Sequence, residues 1–338
     1  MLEVQEIILA IESSCDDTSA AVVCDGKILS NVTTTQIIHA VYGGVVPELA
    51  SRQHQQLILP VVKRALLEAN VSKKDLSAVA FTIGPGLLGS LVVGVSFAKS
   101  FALALNIPTI EVNHMQAHIL AHFGTAFPPP FPFLCLTVSG GHTQLVIVQD
   151  YFTFKLLGET LDDAAGEAFD KSGKVLGLDY PAGPIVDKLA QRGEAKHKFS
   201  EPRIEGFNFS FSGLKTSILY MLQKNMTANP NFITENLNDI CASIQKAIID
   251  TLLKKLKLAQ EFTGIQHIAI AGGVSANSGL RNSLKLWGET SPNLTFYIPP
   301  IALSTDNAGM IGVAAHFKFL KKDFADIHAT PTASLSVV

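Results

Sequence analysis

The feature that most constrains the fold of this chain is a strand–turn–strand pattern that occurs twice. One copy spans residues 7–23 and the other spans residues 134–148, and each joins two apolar, β-rich runs through a short turn of small and polar residues. Such a pattern predicts a β-hairpin. Two similar hairpins indicate a duplicated domain, and we expect a ligand to bind between the two halves.

The turn of the second copy has the composition of an anion-binding loop. It reads Ser-Gly-Gly-His-Thr at residues 139–143. Adjacent glycines permit positive φ angles, which let backbone N–H groups converge on an anion such as a phosphate. A plain tight hairpin is the alternative, because Gly-Gly is a common turn dipeptide. The turn of the first copy is acidic instead, with Asp16 and Asp17.

Length and charge limit the classes of protein to which the chain can belong. A chain of 338 residues with 47% hydrophobic residues is long enough for two lobes, each with a core. The net charge of −3 provides no global basic field, so a nucleic-acid partner would need a local patch or a helper subunit. Four scattered cysteines predict buried free thiols, and the N-terminus lacks the basic residues of a signal peptide. We therefore expect a cytoplasmic protein.

A buried strand is followed by the glycine-rich stretch of residues 84–90 and then by a run that predicts an apolar helix up to Leu105. Lys99 interrupts the run and glycines crowd its start, so we expect a buried helix of a folded domain and not a membrane span. Ser90, Gly94 and Ala98 recur every four residues and form a smooth face. This face is suited either to packing within the chain or to a helix of a partner protein.

Two histidines have the spacing of metal ligands. His114 and His118 share one face of a helix and could present two imidazoles to one ion, although such pairs also occur by chance. Met115 stands where a metalloprotease of the HExxH type has its glutamate, so the general base of that class is missing. A third ligand must come from elsewhere in the chain, and Asp306, before a small-residue helix, is a candidate.

Two further segments complete the set of candidate sites. Residues 158–171 contain five carboxylates, for which a solvated acidic helix face is the simplest interpretation. A strand at residues 266–271 leads into Gly272, Gly273 and then Asn277, an arrangement that lets the backbone approach a nucleotide closely. The segment has neither the GxGxxG of a Rossmann site nor the GxxxxGK[ST] of a P-loop.

Four motifs together resemble the TsaD (YgjD/Gcp) family of tRNA adenosine threonylcarbamoyltransferases. They are Asn-His-x-x-Ala-His at residues 113–118, Val-Ser-Gly-Gly-His-Thr at residues 138–143, Asp-Asp-Ala-Ala-Gly-Glu-Ala-Phe-Asp-Lys at residues 162–171 and Gly-Gly-Val-Ser-Ala-Asn at residues 272–277. The resemblance covers essentially the whole chain. One departure is Ala182, where the family usually has a glycine, and the local backbone is less free there.

The resemblance implies an α/β, two-lobed actin/Hsp70-like (ASKHA) fold with duplicated ribonuclease-H-like domains, as in the actin/Hsp70/sugar-kinase superfamily. It places residues 1–112 and 308–338 in one lobe and residues 113–307, with the metal and adenylate site, in the other. The implied reaction transfers a threonylcarbamoyl group from threonylcarbamoyl-AMP to N6 of adenosine 37 in tRNAs that read ANN codons, which forms t6A.

The same resemblance implies the site residues and the partners. The metal, Fe2+ or Zn2+, is bound by His114, His118 and Asp306. The adenylate is bound by Thr137, Val138, Ser139, Gly140, Gly141, Asp170, Gly183, Asp187 and Asn277. The general base is not identified, and His142 and Asp17 are nearby candidates. The expected partners are tRNA, a TsaB-like paralogue and a TsaE-like P-loop ATPase, with no membrane.

Three other functions fit parts of the sequence. A metalloprotease lacks its glutamate beside His114. A small-molecule kinase or an ATP-driven chaperone has the same fold class but does not need the two histidines. A non-catalytic binding subunit would be shorter and should lack His114, His118 and Asn277.

Overall fold

A computed structural model describes residues 5–200 and 204–338 of the chain. These residues form two compact units. Unit 1 comprises the chain up to Pro128 together with Pro299–Val338, and unit 2 is Pro129–Ile298. Each unit contains one mixed β-sheet, and the candidate sites lie at the ends of its strands.

Ten strands are found in the described residues. They are β1 (Ile7–Glu12), β2 (Asp17–Cys24), β3 (Lys27–Thr35), β4 (Ala78–Gly84), β5 (Thr109–Asn113), β6 (Phe133–Val138), β7 (Thr143–Asp150), β8 (Thr153–Glu159), β9 (His267–Ala271) and β10 (Thr295–Tyr297). The unit 1 sheet has the order β3-β2-β1-β4-β5, and the unit 2 sheet has the order β10-β9-β6-β7-β8.

The two sheets have the same topology, which confirms the predicted duplication. In unit 1, β1 pairs antiparallel with β2 and parallel with β4. In unit 2, β6 pairs antiparallel with β7 and parallel with β9. Both predicted hairpins are therefore present, and each connects the central strand of a sheet to its antiparallel neighbour.

Helices flank the sheets. They are α1 (Pro47–Glu68), α2 (Leu88–Leu105), α3 (His114–Leu120), α4 (Ala165–Val175), α5 (Ala182–Ala190), α6 (Ser212–Ala228), α7 (Phe232–Thr263), α8 (Ser278–Thr290) and α9 (Ala308–Leu320), with short 3-10 turns at Ile37–Tyr42, Ala121–Gly124, Gly273–Ala276 and Ile301–Leu303. In unit 1, α1 and α2 pack on the sheet and share a core with β1, β2 and β4. In unit 2, the helices α4 to α8 pack around β6 and β9.

The unit boundaries differ from the predicted lobes. Residues 113–128 and 299–307 were expected with the second lobe, but they belong to unit 1. The physical reason is that α3 continues directly from the edge strand β5 and packs against α9, which itself packs on β1 and β2. All three predicted metal ligands therefore lie in unit 1, and the predicted adenylate-binding residues lie in unit 2.

Helix α2 buries one face and exposes the other. Ser90, Gly94 and Ala98 are buried, and the Ser13 hydroxyl donates to the Ser90 carbonyl at 3.0 Å. The small-residue face is thus used for packing within unit 1, so the idea that it receives a partner helix is wrong. By length and composition alone α2 could cross a membrane, but it packs on β4 as part of the unit 1 core.

Candidate metal centre and adenylate-binding residues

The two histidines lie at the start and in the middle of α3, as the i, i+4 spacing predicted. Strand β5 ends at Asn113, whose side-chain oxygen accepts hydrogen bonds from the backbone N–H groups of Met115 at 2.9 Å and Gln116 at 3.2 Å. This cap satisfies two of the unpaired N–H groups at the helix start. Since both histidines are buried, α3 directs their rings into the interior of unit 1.

Asp306 joins the histidines at the start of another helix. It comes just before Asn307, whose side-chain oxygen caps α9 by accepting from the Met310 N–H at 3.0 Å. The Ala308 N–H donates to Ser19 Oγ at 2.9 Å, which ties the start of α9 to β2. A carboxylate is stabilised at such a position by the positive end of the helix dipole.

The three side chains form a cluster whose spacing fits one metal ion. Asp306 Oδ1 lies 3.1 Å from His118 Nε2 and 3.5 Å from His114 Nε2. Two donors on one tetrahedral zinc ion, each about 2.1 Å from it, are roughly 3.4 Å apart. One donor atom from each residue lies within 4.8 Å of the other two. The cluster predicted from the sequence is therefore present, and its donor set suits iron(II) or zinc better than magnesium.

Carboxylates control the charge of His114. Burial by itself lowers the pKa of its imidazole, but the charges of Glu12 and Asp306 and their hydrogen bonds outweigh burial and raise the pKa to about 10. Burial instead dominates at His118 and lowers its pKa. With its pKa raised in this way, the His114 ring carries an N–H on each nitrogen at neutral pH, one toward Glu12 and one toward Asp306. A metal ion that binds this ring must displace one of these protons.

Glu12 is a member of this cluster that the motif analysis missed. Its carboxylate is fully buried at the end of β1, and Oε2 lies 3.1 Å from His114 Nδ1. A signal was present, because a charged residue directly after a run of five apolar residues at the end of a central strand is costly to bury unless it is paired. The sequence did not identify its partner, which is 102 residues away.

Asp17, a candidate general base, lies at the start of β2 in unit 1. Burial, together with the charges of Asp306 and Asp16, raises its pKa to about 7 against a hydrogen bond from Thr35 that lowers it. Its Oδ1 atom is buried and has no hydrogen-bond partner among the described residues. A pKa near neutrality is suited to proton transfer, so Asp17 stays a candidate.

The predicted anion-binding turn of unit 2 closes the β6–β7 hairpin. The Ser139 N–H donates to the His142 carbonyl at 2.8 Å, and the His142 N–H donates to Ser139 Oγ at 3.1 Å. Neither Gly140 nor Gly141 has a positive φ, contrary to our expectation. Both glycines nevertheless have open space where a side chain would be, so the backbone of the turn is accessible to a ligand.

The end of β6 contacts the glycine turn after β9, which was also predicted to bind the adenylate. Val138 and Thr137 are buried strand residues, and a side chain on Gly272 would lie 2.5 Å from the Val138 carbonyl oxygen. Gly272 has a φ of +82°, which favours glycine. β6 and β9 are parallel neighbours, so their carboxyl ends meet at one edge of the sheet, where ligands of α/β folds commonly bind.

The remaining predicted binding residues stabilise helix starts near this edge. Asp170 Oδ1 accepts from the N–H groups of Ala182 at 2.8 Å and Gly183 at 3.2 Å, so Ala182 preserves the backbone contact. Asp187 accepts from Ser278 Oγ at 2.6 Å. The Asn277 oxygen caps α8 by accepting from the Leu280 N–H at 3.0 Å. These side chains connect α4, α5 and α8 within unit 2.

The acidic segment is not a solvated helix face. Asp162 accepts from Ser210 Oγ at 2.5 Å and from the Phe211 N–H at 2.7 Å, at the start of α6. Asp163 pairs with Lys171 at 2.6 Å. Only the part from Ala165 onwards is helical. Asp162 therefore caps the start of α6 and Asp163 is an ion-pair partner, because the loop before α4 lies against the start of α6.

Comparisons with known proteins agree with this arrangement. The family described as TsaD, tRNA N6-adenosine threonylcarbamoyltransferase, matches residues 27–313. Proteins named tRNA N6-adenosine threonylcarbamoyltransferase from Christiangramia forsetii and Riemerella anatipestifer are 60% and 56% identical over 331 and 333 residues, which cover 96% and 97% of both chains. The crystal structure of component A of the Acidaminococcus fermentans (R)-2-hydroxyglutaryl-CoA dehydratase is similar with a TM-score of 0.55 at 16% identity, covering 94% of this chain and 99% of that one. The likeness confirms the predicted actin/Hsp70-like α/β fold.

Proposed function

This chain belongs to the TsaD family of tRNA N6-adenosine threonylcarbamoyltransferases, and we propose that it transfers the threonylcarbamoyl group of threonylcarbamoyl-AMP to N6 of adenosine 37 in tRNAs that read ANN codons. The product is t6A. The observation that carries this proposal is the cluster of His114, His118 and Asp306, in which both histidines are buried. A kinase or chaperone of the same fold class has no need of these three ligands.

The donor explains why such a cluster is useful. Threonylcarbamoyl-AMP is a mixed anhydride, and negative charge develops on its carbamoyl and phosphate oxygens as AMP leaves. A divalent ion, Fe2+ or Zn2+, held by His114, His118 and Asp306 would act as a Lewis acid toward such oxygens. Because the described residues supply three ligands, coordination positions remain for the substrate.

The residues of unit 2 provide binding and orientation of the adenylate. The accessible backbone of residues 139–141 is suited to a phosphate, and Asn277 and the glycine turn at residues 272–273 are suited to the adenosine. Asp170 and Asp187 fix the starts of α5 and α8 around them. Orientation of the donor is expected to contribute much of the rate, since no covalent intermediate on the protein is required.

We include two partner proteins in the proposal, a TsaB-like paralogue and a TsaE-like ATPase. The small-residue face of α2 is occupied within unit 1, so the paralogue would have to use the opposite face. That face exposes Leu88 at 53%, Val92 at 44% and Leu103 at 74%. The single charged residue of α2, Lys99, instead donates to the Ile327 and Ala329 carbonyls. Exposed apolar surface on an uncharged helix face is typical of a protein interface.

The test is a reconstituted transfer assay. Pre-formed threonylcarbamoyl-AMP, metal-loaded protein, both partners and unmodified tRNA are combined, and nuclease digests are examined for threonylcarbamoyladenosine by mass spectrometry. We expect product with the wild-type protein, and a steep loss of tRNA binding as salt is raised, since phosphate contacts release counterions. Phosphorylation of a small molecule by ATP, with no modified adenosine under any partner combination, would contradict the proposal.

A further inference from the structure

The carboxylate of Glu12 lies against the side of His114 that faces away from Asp306. Glu12 Oε2 is 3.1 Å from His114 Nδ1, whereas His114 Nε2 faces Asp306 Oδ1 at 3.5 Å. The two nitrogens of one imidazole are thus divided between two carboxylates. No comparable contact exists at the second histidine, because His118 Nδ1 is buried without a hydrogen-bond partner among the described residues.

Two other donors hold the Glu12 carboxylate in place. The Ser14 backbone N–H donates to Oε1 at 2.5 Å, and the Thr82 hydroxyl donates to Oε2 at 2.5 Å. A backbone N–H can only donate, so the atom that faces Ser14 must be an acceptor. Thr82 lies on β4, the parallel neighbour of β1, and both residues are buried. The position of the carboxylate is therefore set by the sheet and not by a flexible loop.

We propose that Glu12 is a positioning residue that selects the metal-binding tautomer of His114. By accepting the Nδ1–H hydrogen bond, the carboxylate keeps the proton on Nδ1 and leaves the lone pair of Nε2 directed to the side of Asp306 and His118. A carboxylate behind a ligating histidine fixes the ring and increases its basicity toward a metal. The proposal rests on the metal centre of the proposed function and adds a residue to it.

The hydrogen bonds around Glu12 predict which tautomer of His114 a glutamine at position 12 would favour. In Glu12→Gln the amide oxygen must face the Ser14 N–H, because two donors cannot pair. The amide NH₂ group then takes the place of Oε2 and donates to His114 Nδ1, while the Thr82 hydroxyl turns to accept. The neutral ring is left with its proton on Nε2, the nitrogen that a metal would need. The substitution thus changes the tautomer with almost no change in volume.

The experiment measures Zn²⁺ affinity of the full chain by competition with a chromophoric chelator, without tRNA or donor. Glu12→Gln should weaken Zn²⁺ binding by about 10- to 100-fold, the usual cost of losing such an outer partner. The matched control is Glu6→Gln. Glu6 is also buried in unit 1 and accepts from a histidine Nδ1, that of His316, at 3.1 Å, but it does not contact the cluster. The Zn²⁺ affinity of Glu6→Gln should equal that of the wild type.

Nitrogen-15 NMR of the zinc-loaded wild-type protein provides a measurement that does not depend on a variant. The His114 ring should show a proton on Nδ1 and a metal-shifted Nε2. In folded Glu12→Gln without metal, the neutral ring should show its proton on Nε2, with thermal unfolding by circular dichroism as the check of folding. Coordination through Nδ1 in the wild type would overturn the proposal.

A second group could accept the hydrogen bond of His114 Nδ1, and the same measurements distinguish it from Glu12. Ser14 Oγ lies 3.3 Å from His114 Nδ1. If Ser14 alone oriented the ring, Glu12→Gln would bind Zn²⁺ as tightly as the wild type, and the proposal would be wrong. Failure of the proposed transferase function would leave these measurements unchanged, since they involve only the protein and zinc.

Discussion

His118 Nε2 lies 3.1 Å from Asp306 Oδ1, although 188 residues separate them in the sequence. The contact forms because α3 and α9 pack against each other within unit 1. All residues of the cluster belong to that unit, so its metal affinity should report on the folding of unit 1. The intervening unit 2 supplies none of the three ligands.

Removing one ligand should abolish tight metal binding. We expect Asp306→Ala to weaken Zn²⁺ binding by more than the ~100-fold that loss of an outer partner can cost, because a direct ligand is lost. Metal per chain after dialysis, measured by mass spectrometry, tests this, and transfer activity should fall with it. The control is His328→Ala, which removes an exposed histidine of unit 1. Full metal content in Asp306→Ala would show that the site has been misplaced.

Metal affinity should rise with pH. His114 carries a proton below its pKa of about 10 and can ligate only after losing it, so one proton is released for each metal ion bound. The apparent affinity should therefore rise about tenfold for each pH unit between roughly pH 7 and pH 9. Competition with a chelator of known pH dependence measures this slope. A flat profile would mean that no proton is displaced from His114.

The local parts of the structure were predictable from the sequence. Each hairpin is encoded in a contiguous pattern of apolar runs and turn residues, so both β1–β2 and β6–β7 were found at the expected places. The pair His114 and His118 depends only on the period of a helix, and α3 confirms it. The two sheets have the same strand order, as expected from the duplication that the two hairpins indicated.

The long-range parts were not predictable. The sequence shows that Ser90, Gly94 and Ala98 form a smooth face, but not that β1 and Ser13 occupy it. Nor does it show that Glu12 meets His114. The composition of the turn also failed to predict its backbone geometry, since Gly141 does not have a positive φ angle. What the glycine provides is open space beside the backbone, where a side chain would otherwise lie. Tertiary contacts decide each of these cases.

The packing of α2 predicts that Gly94→Ala destabilises unit 1 directly. The new Cβ would collide with Ser13 Oγ, and overpacking of this kind costs about 1–3 kcal/mol. The matched control is Gly213→Ala in α6, where nothing lies within 4 Å of the added atom. Because the added atom meets nothing and glycine is a poor helix former, that change should leave the stability equal to or slightly above that of the wild type. Chemical unfolding measures both, and equal effects of the two changes would contradict the packing described here.

The raised pKa of Asp17 predicts an unusual dependence of stability on pH in the metal-free protein. The folded state raises the pKa of Asp17 from its ordinary value of 3.8 to about 7, so the unfolded state loses the proton first. The contribution of Asp17 to the free energy of unfolding should consequently decrease as pH rises from about 4 to 7. Asp17→Asn keeps a neutral side chain of the same shape and should remove this decrease, which makes the variant more stable than the wild type at pH 8.

The test is chemical unfolding of both proteins at pH 4.5, 6 and 8 with a chelator present. The control is Asp179→Asn, an exposed aspartate of unit 2, for which the stability profile should follow the wild type. Transfer activity adds a separate readout, because a residue that accepts the N6 proton cannot be replaced by an amide. A more stable but inactive Asp17→Asn would identify Asp17 as the base. A more stable and fully active variant would agree with the raised pKa of Asp17 but would show that Asp17 is not the general base.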